Sequence, residues 1–177
     1  PGLELLDRCG AGTADDSACY REYPIAGTQK AGHLVVDGVG AVWYTAYAGG
    51  NHLGRLDPTT GATRVFPLPP ARQGSVFGSA VWEIAIKHNG NIVFSEFADA
   101  EVGEFDIAQV DNPACLELDA NHQNPCIRTL SLTNPEPGGR VVHSLAVDAM
   151  DNTWFTHGGG GAPADPLRAP EIGYATA

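Results

Sequence analysis

A chain of 177 residues is long enough for one domain with a real core and short for a closed ring of large repeats. Its 10 Lys plus Arg stand against 21 Asp plus Glu, so at a formal charge of −11 nucleic acid and anionic membrane surfaces are poor partners. The 22 Gly and 13 Pro, scattered among short apolar runs without sustained helical periodicity, point to an all-β protein of many strands joined by turns.

In chain order, the opening residues "PGLELLDRCG" lack the basic start and apolar middle of a signal peptide, and no apolar run approaches the roughly 20 residues of a spanning helix. A start at Pro1 rather than Met is expected of a processed or excised product. Cys9 and Cys19 enclose the polar stretch "CGAGTADDSAC", and further on Cys115 and Cys126 enclose "CLELDANHQNPC". Two local disulfides, Cys9–Cys19 and Cys115–Cys126, are the simplest arrangement, and they imply an oxidising compartment. Zinc is the alternative, but neither a C-x-x-C spacing nor a paired His motif is present.

Three passages share one form: "HLVVDGVGAVWYT" (33 to 45), "EIAIKHNGNIVFSE" (83 to 96) and "SLAVDAMDNTWFTH" (144 to 157). Each is a short apolar strand, a polar turn and a second strand ending in an aromatic residue followed by Thr or Ser. Trp43, Val93 and Trp154 occupy one equivalent position, as inter-sheet packing. A third strand follows each passage, in "HLGRLD" (52 to 57), "EVGEFD" (101 to 106) and "EIGYAT" (171 to 176), so that Gly54, Gly103 and Gly173 correspond and permit close approach. A fourth strand is expected in "TRVFPLP" (63 to 69) and "IRTLSLT" (127 to 133), with Asp57-Pro58-Thr59-Thr60-Gly61 as the hairpin turn before the first of them.

Four antiparallel strands in about 40 to 50 residues are the signature of a β-propeller blade. The chain divides accordingly into 1–30, a disulfide loop plus the fourth strand of a closing blade; 31–70, a blade; 71–134, a blade with a disulfide hairpin insertion; and 135–177, an incomplete blade. Residues 19 to 25, "CYREYPI", read as a fourth strand with no blade before it. About three blades cannot close a ring, which needs at least four. Further blades, from the same longer chain or from a partner chain, are expected to complete it.

The stretch "LVVDGVGAVWYTAYAGGNHLGRLDPTTGATRVFPLP" resembles the repeat of the virginiamycin B lyase (streptogramin lyase) propellers, with their Trp-Phe-Thr-Glu, Ile-Gly-Arg-Ile, Pro-Thr-Thr-Gly and Phe-Pro-Leu segments. The resemblance covers one blade closely and two loosely. It implies a magnesium-dependent carbon–oxygen lyase that opens an ester by elimination. Such chemistry takes the proton α to a carbonyl with a base and steadies the developing enolate with a cation. The family sets a His at the start of a blade's inner strand and a Glu fourteen residues on, both facing the central channel, with another His on the preceding blade.

On this chain those positions are His143 and His157 in the third blade, Trp82 and Glu96 in the second, and Gly32 and Ala46 in the first. The His-then-Glu pair falls on no single blade, so the family's full catalytic set is absent from the chain. Glu96, His143 and His157 would still converge on one rim of the channel. Two imidazoles and a carboxylate are ligands suited to Zn²⁺ or another borderline ion, and could serve as base and support. The plainer reading of the same three residues is a polar rim solvated by channel water.

The other histidines have plainer readings. Alternation turns His33 toward the neighbouring sheet as a packed side chain, while His52 and His88 are expected to be exposed. His122, with Asp119, Asn121 and Asn124 around it, fits a solvated hairpin better than a Ca²⁺ loop. The Gly-rich "HGGGGAP" (157 to 163) follows a strand and opens no helix, which argues against phosphate cradling and for a channel-side loop. Two functions are therefore expected: a secreted or periplasmic lyase-like propeller acting on an ester-containing, cyclic depsipeptide-like substrate, or a non-catalytic propeller that binds a small-molecule ligand or partner chain.

Overall fold

The computed structural model describes residues 6–7, 21–25, 30–48, 51–70, 81–97, 101–131, 140–159 and 171–176. Among them, regular structure is almost entirely antiparallel sheet. The first sheet orders β3 (Lys30–Val36), β4 (Val42–Ala48), β5 (His52–Leu56) and β6 (Thr63–Pro67) as a meander. The second repeats it with β7 (Val81–Ile86), β8 (Ile92–Glu96), β9 (Glu101–Phe105) and β10 (Ile127–Ser131). The third holds β11 (Arg140–Val147), β12 (Thr153–Gly159) and β13 (Glu171–Ala175). Every strand expected within 31–177 is thus present. The strand expected over 19 to 25 is shorter, as β2 (Arg21–Glu22) pairs with β1 (Leu6–Asp7) in a two-stranded ribbon. Tyr23 Oη then donates to the Pro58 carbonyl at 2.7 Å, tying this segment to the first sheet's outer turn.

The hairpin between the first and second strands is built the same way each time. Asp37, Lys87 and Asp148 start a three-residue loop that returns a backbone N–H to their own carbonyl from Gly40, Gly90 and Asp151. Those three residues have φ of +83°, +91° and +63°, the left-handed conformation that closes such a loop with a bulge. Asp151 is the one non-glycine of the three. Its carboxylate accepts from the His88 and Asn89 amides of the neighbouring loop at 2.6 and 3.2 Å, fixing the two loops together. The turn at Asp57 forms as its sequence indicates, with its carboxylate capping the Thr59 amide at 2.8 Å.

The repeated glycine of the third strand does permit a close approach, that of an aromatic ring from the neighbouring strand. Gly54, Gly103 and Gly173 sit directly across the ladder from Tyr44, Phe94 and Phe155. A Cβ at any of them would overlap the partner's ring, so each aromatic side chain lies flat over the neighbouring strand.

Consecutive sheets pack face to face. Trp43, Leu53 and Phe66 of the first sheet meet Ile84, Phe94 and Phe105 of the second in one buried core. A smaller core joins Val102 of the second sheet to Val142 and Phe155 of the third. The leading strands also touch, β3 against β7 and β7 against β11. Trp154, at the position of the fully buried Trp43, is 41% exposed, with no following sheet over it among the described residues.

The Cys115–Cys126 disulfide is present and closes the insertion between β9 and β10, which is consistent with an extracytoplasmic, oxidising environment. Cys9 and Cys19 lie outside the described residues. Among those described, no helix is long and apolar enough to cross a membrane.

Candidate functional site

The leading strand of each sheet carries an irregularity at the same place. The ladder breaks between Ala31 and Leu34, between Val81 and Ile84, and between Val142 and Ser144. This frees backbone amides that need another acceptor. The hydroxyl of the second strand supplies it: His33 N donates to Thr45 Oγ1 at 3.0 Å, Glu83 N to Ser95 Oγ at 3.0 Å and Ser144 N to Thr156 Oγ1 at 3.3 Å. The Thr or Ser that follows the aromatic residue in each repeat is therefore the acceptor for a bulge.

The bulges present Gly32–His33, Trp82–Glu83 and His143 outside regular pairing. Alternation does turn His33 toward the next sheet, where its Nδ1 lies 3.0 Å from Glu83 Oε1 and its ring 5.5 Å from Trp82, but its side chain is 42% exposed and not packed as expected. Trp82 is 6.1 Å from Phe97, and Phe97 meets His143 edge-on at 4.9 Å. A row of rings thus runs His33, Trp82, Phe97, His143 across all three sheets.

The ladder sets His157 opposite Val142, the immediate neighbour of His143, and half-buried beside Phe155 at 5.8 Å between ring centroids. His143 itself is exposed. Glu96 ends β8 opposite Val81 and is buried. His143 and His157 thus lie near one another on the third sheet, and Glu96 lies on the second. Among the described residues, however, no group of three or more His, Cys, Asp or Glu side chains is arranged to hold a metal ion. The sequence does not single out His33–Glu83 as a pair, because its two members come from different sheets and meet only through the packing of one sheet on the next.

Two histidines of plainer reading divide. His88 is exposed and faces Asp151 at 2.9 Å. His52, expected at the surface, is only 4% exposed, because its strand is central in the sheet and pairs on both sides, with Ala46 and Pro67. Around His122, Asp119 spends one carboxylate oxygen on the Asn121 and Gln123 amides, both at 2.8 Å. Asn124 is buried and donates to the Pro67 and Cys115 carbonyls at 2.9 Å, which makes it a structural clamp. The stretch 160–170, with most of the Gly-rich loop, lies outside the described residues.

No protein-family model and no curated protein sequence matches the chain. Solved structures do. A crystal structure of virginiamycin B lyase from Staphylococcus aureus aligns with a TM-score of 0.52 at 16% identity, covering 80% of this chain and 40% of that one. A streptogramin B lyase structure aligns with a TM-score of 0.52 at 15% identity, over 85% and 42%. A catalytically inactive variant of the S. aureus enzyme, crystallised with quinupristin, aligns with a TM-score of 0.53 at 20% identity, over 92% and 46%. The chain spans less than half the length of each. At these identities the likeness is one of fold.

Proposed function

We propose that the three sheets are consecutive blades of a streptogramin lyase-like β-propeller and that the bulged starts of their leading strands line its axial rim. The observation that carries this reading is the contact of leading strand with leading strand, β3 on β7 and β7 on β11, between sheets stacked face to face. A fold likeness to two lyases supports it. On that rim stand His143, His157 and Glu96, together with the His33–Glu83 pair.

The reaction this rim serves is opening of an ester in a cyclic depsipeptide-like substrate by C–O elimination. His143 and His157 are the candidate proton carriers, and Glu96 is the buried carboxylate on the adjacent sheet. Magnesium by resemblance, or zinc by ligand type, is the cation such chemistry uses. The described residues do not assemble three ligands for it, so no step is assigned to a metal. Further blades, from a longer chain or a partner, are needed to complete both ring and site.

His157, standing fourteen residues after His143 where the family carries Glu, favours a second reading, a propeller module that binds a ligand or partner without catalysis. Incubating the purified protein with a cyclic depsipeptide, with and without Mg²⁺ or Zn²⁺, separates the two. Ring opening without addition of water identifies the lyase. Binding without turnover in every metal condition identifies the module.

A further inference from the structure

The two interfaces between consecutive sheets use the same register positions and are filled differently. Between the first and second sheets three rings meet, Trp43, Phe66 and Phe105, with centroids 4.7 to 5.4 Å apart and all fully buried. The ladders place Val93, Leu130 and Ala175 at the corresponding positions one interface along. All three are smaller. A cavity of about 570 Å³ occupies that place, and Leu130 on its wall is 44% exposed where Phe66 is buried completely. The space opens to solvent, with Leu130 and Tyr174 exposed on its wall, so a ligand can reach it.

The same exchange of residues installs charge. Where the first sheet sets Asp37 against Arg55 at 3.7 Å, the second sets Lys87 against Glu104 at 2.9 Å. The Lys87 side chain is 2% exposed, and Glu104 is its one hydrogen-bond partner among the described residues. Arg128 donates to the same carboxylate oxygen at 2.8 Å from an exposed position, and Asn91 donates to the other at 2.7 Å. Lys87, Glu104 and Arg128 all line the cavity, which gives its wall one surplus positive charge in a protein of net charge −11.

We propose that this cavity is a binding site for an amphipathic carboxylate, whose apolar body rests on Val93, Val102 and Leu130 and whose head is held by the Arg128 guanidinium with Lys87 behind it. Its volume is in the range of small-molecule pockets, and its make-up, an apolar floor with a few convergent polar groups, is theirs as well. A guanidinium keeps several N–H donors after one bond to Glu104, enough for a second carboxylate. The site includes none of Glu96, His143 and His157, so it stands or falls apart from the lyase reading.

The test is titration of the isotope-labelled protein with octanoate, followed by methyl NMR and calorimetry, with octan-1-ol and octylammonium as controls. Octanoate is expected to shift the Val93, Val102 and Leu130 methyls saturably, and to bind about tenfold more tightly than either control. Arg128→Met weakens octanoate about tenfold with little change in thermal midpoint, since the residue is exposed. Val93→Trp restores the indole of the first interface and abolishes the shifts. Unmoved methyls, equal binding of octylammonium, or full affinity in R128M overturns the proposal. It is also overturned if the peptide Ile-Arg-Thr-Leu-Ser-Leu-Thr, the chain's own fourth strand, protects β13 amides from exchange while octanoate gives no response; the groove then belongs to an added strand.

Discussion

Lys87 and Glu104 form a buried ion pair at the ladder position where Asp37 and Arg55 stand in the preceding sheet, with the two charges exchanged. Each pair sits beside the residue that packs the next interface, Trp43 in one sheet and Val93 in the other. Burial works against ionised Glu104, but the hydrogen bonds from Lys87, Asn91 and Arg128 outweigh it and hold its carboxyl below the usual range. Replacing Glu104 leaves the Lys87 ammonium buried without its carboxylate, whereas replacing Lys87 leaves Glu104 with Arg128 and Asn91 still bonded to it. Glu104→Gln is therefore expected to destabilise the fold by about 3 kcal/mol, and the double variant Lys87→Met/Glu104→Gln by clearly less than the sum of its parts. Urea unfolding of the four proteins measures the coupling, and additive losses would remove the pair from the account.

Asp148 is held at about 2, first by the Trp154 indole N–H, then by Asn152 and the Met150 and Asn152 amides. Its carboxylate is depressed in the folded state, so the stability it contributes is present above the ordinary value of 3.8 and is lost as pH falls toward about 2. Asp37 is lowered too, since its bonds from the Trp43 indole and the Ala41 and Val39 amides overcome the opposing effect of burial. Acid unfolding is thus expected to set in below pH 4. Trp154→Phe removes one donor and should bring the Asp148 titration, followed by carboxyl NMR, back toward the ordinary range. An unmoved titration would show that the indole bond is not formed in solution.

Gly103 faces Phe94 with no room for a methyl group. Gly103→Ala must push a fully buried ring out of its place in the core shared by the first two sheets, at a cost of about 2 kcal/mol. A drop in thermal midpoint that is partly recovered by adding Phe94→Leu locates the clash at that pair. An unchanged midpoint in the single variant would mean that the ring does not lie over the strand.

The Cys115–Cys126 bridge spans a sequence separation of 11, and Cys115 is fully buried against the first two sheets' core. Reduction is expected to cost about 3 kcal/mol. Denaturation with and without reductant reads this directly. Asn124→Ala should cost a further 1 to 2 kcal/mol, roughly, because two carbonyls on different segments lose their donor.

His143 is exposed and packs only its edge against Phe97. His143→Ala should leave stability within about 0.5 kcal/mol. If the rim takes up a divalent ion, the same variant lowers the metal content of the purified protein. Equal metal in variant and parent would remove His143 as a ligand.

The repeats were legible because each strand's alternation and each turn's chemistry are local, written within a few residues of one another. That is why the strand pattern, the Asp57 turn and the Cys115–Cys126 pairing could be read from the chain. The glycine of the third strand was visible as a recurrence, but its reason needed the ladder, which alone puts Tyr44, Phe94 and Phe155 over it. The same holds for the Thr or Ser after those aromatics: only the bulge in a strand some 12 residues away explains the hydroxyl.

By itself, then, the amino-acid sequence determined an all-β chain of repeated antiparallel units, since side-chain alternation and turn residues act over short range. Tertiary structure alone decided that His52 is interior, that His33 meets Glu83, and that Val93, Leu130 and Ala175 leave open a space which three rings fill next door. Those outcomes depend on which sheet faces which and at what register, and packing between distant segments settles that.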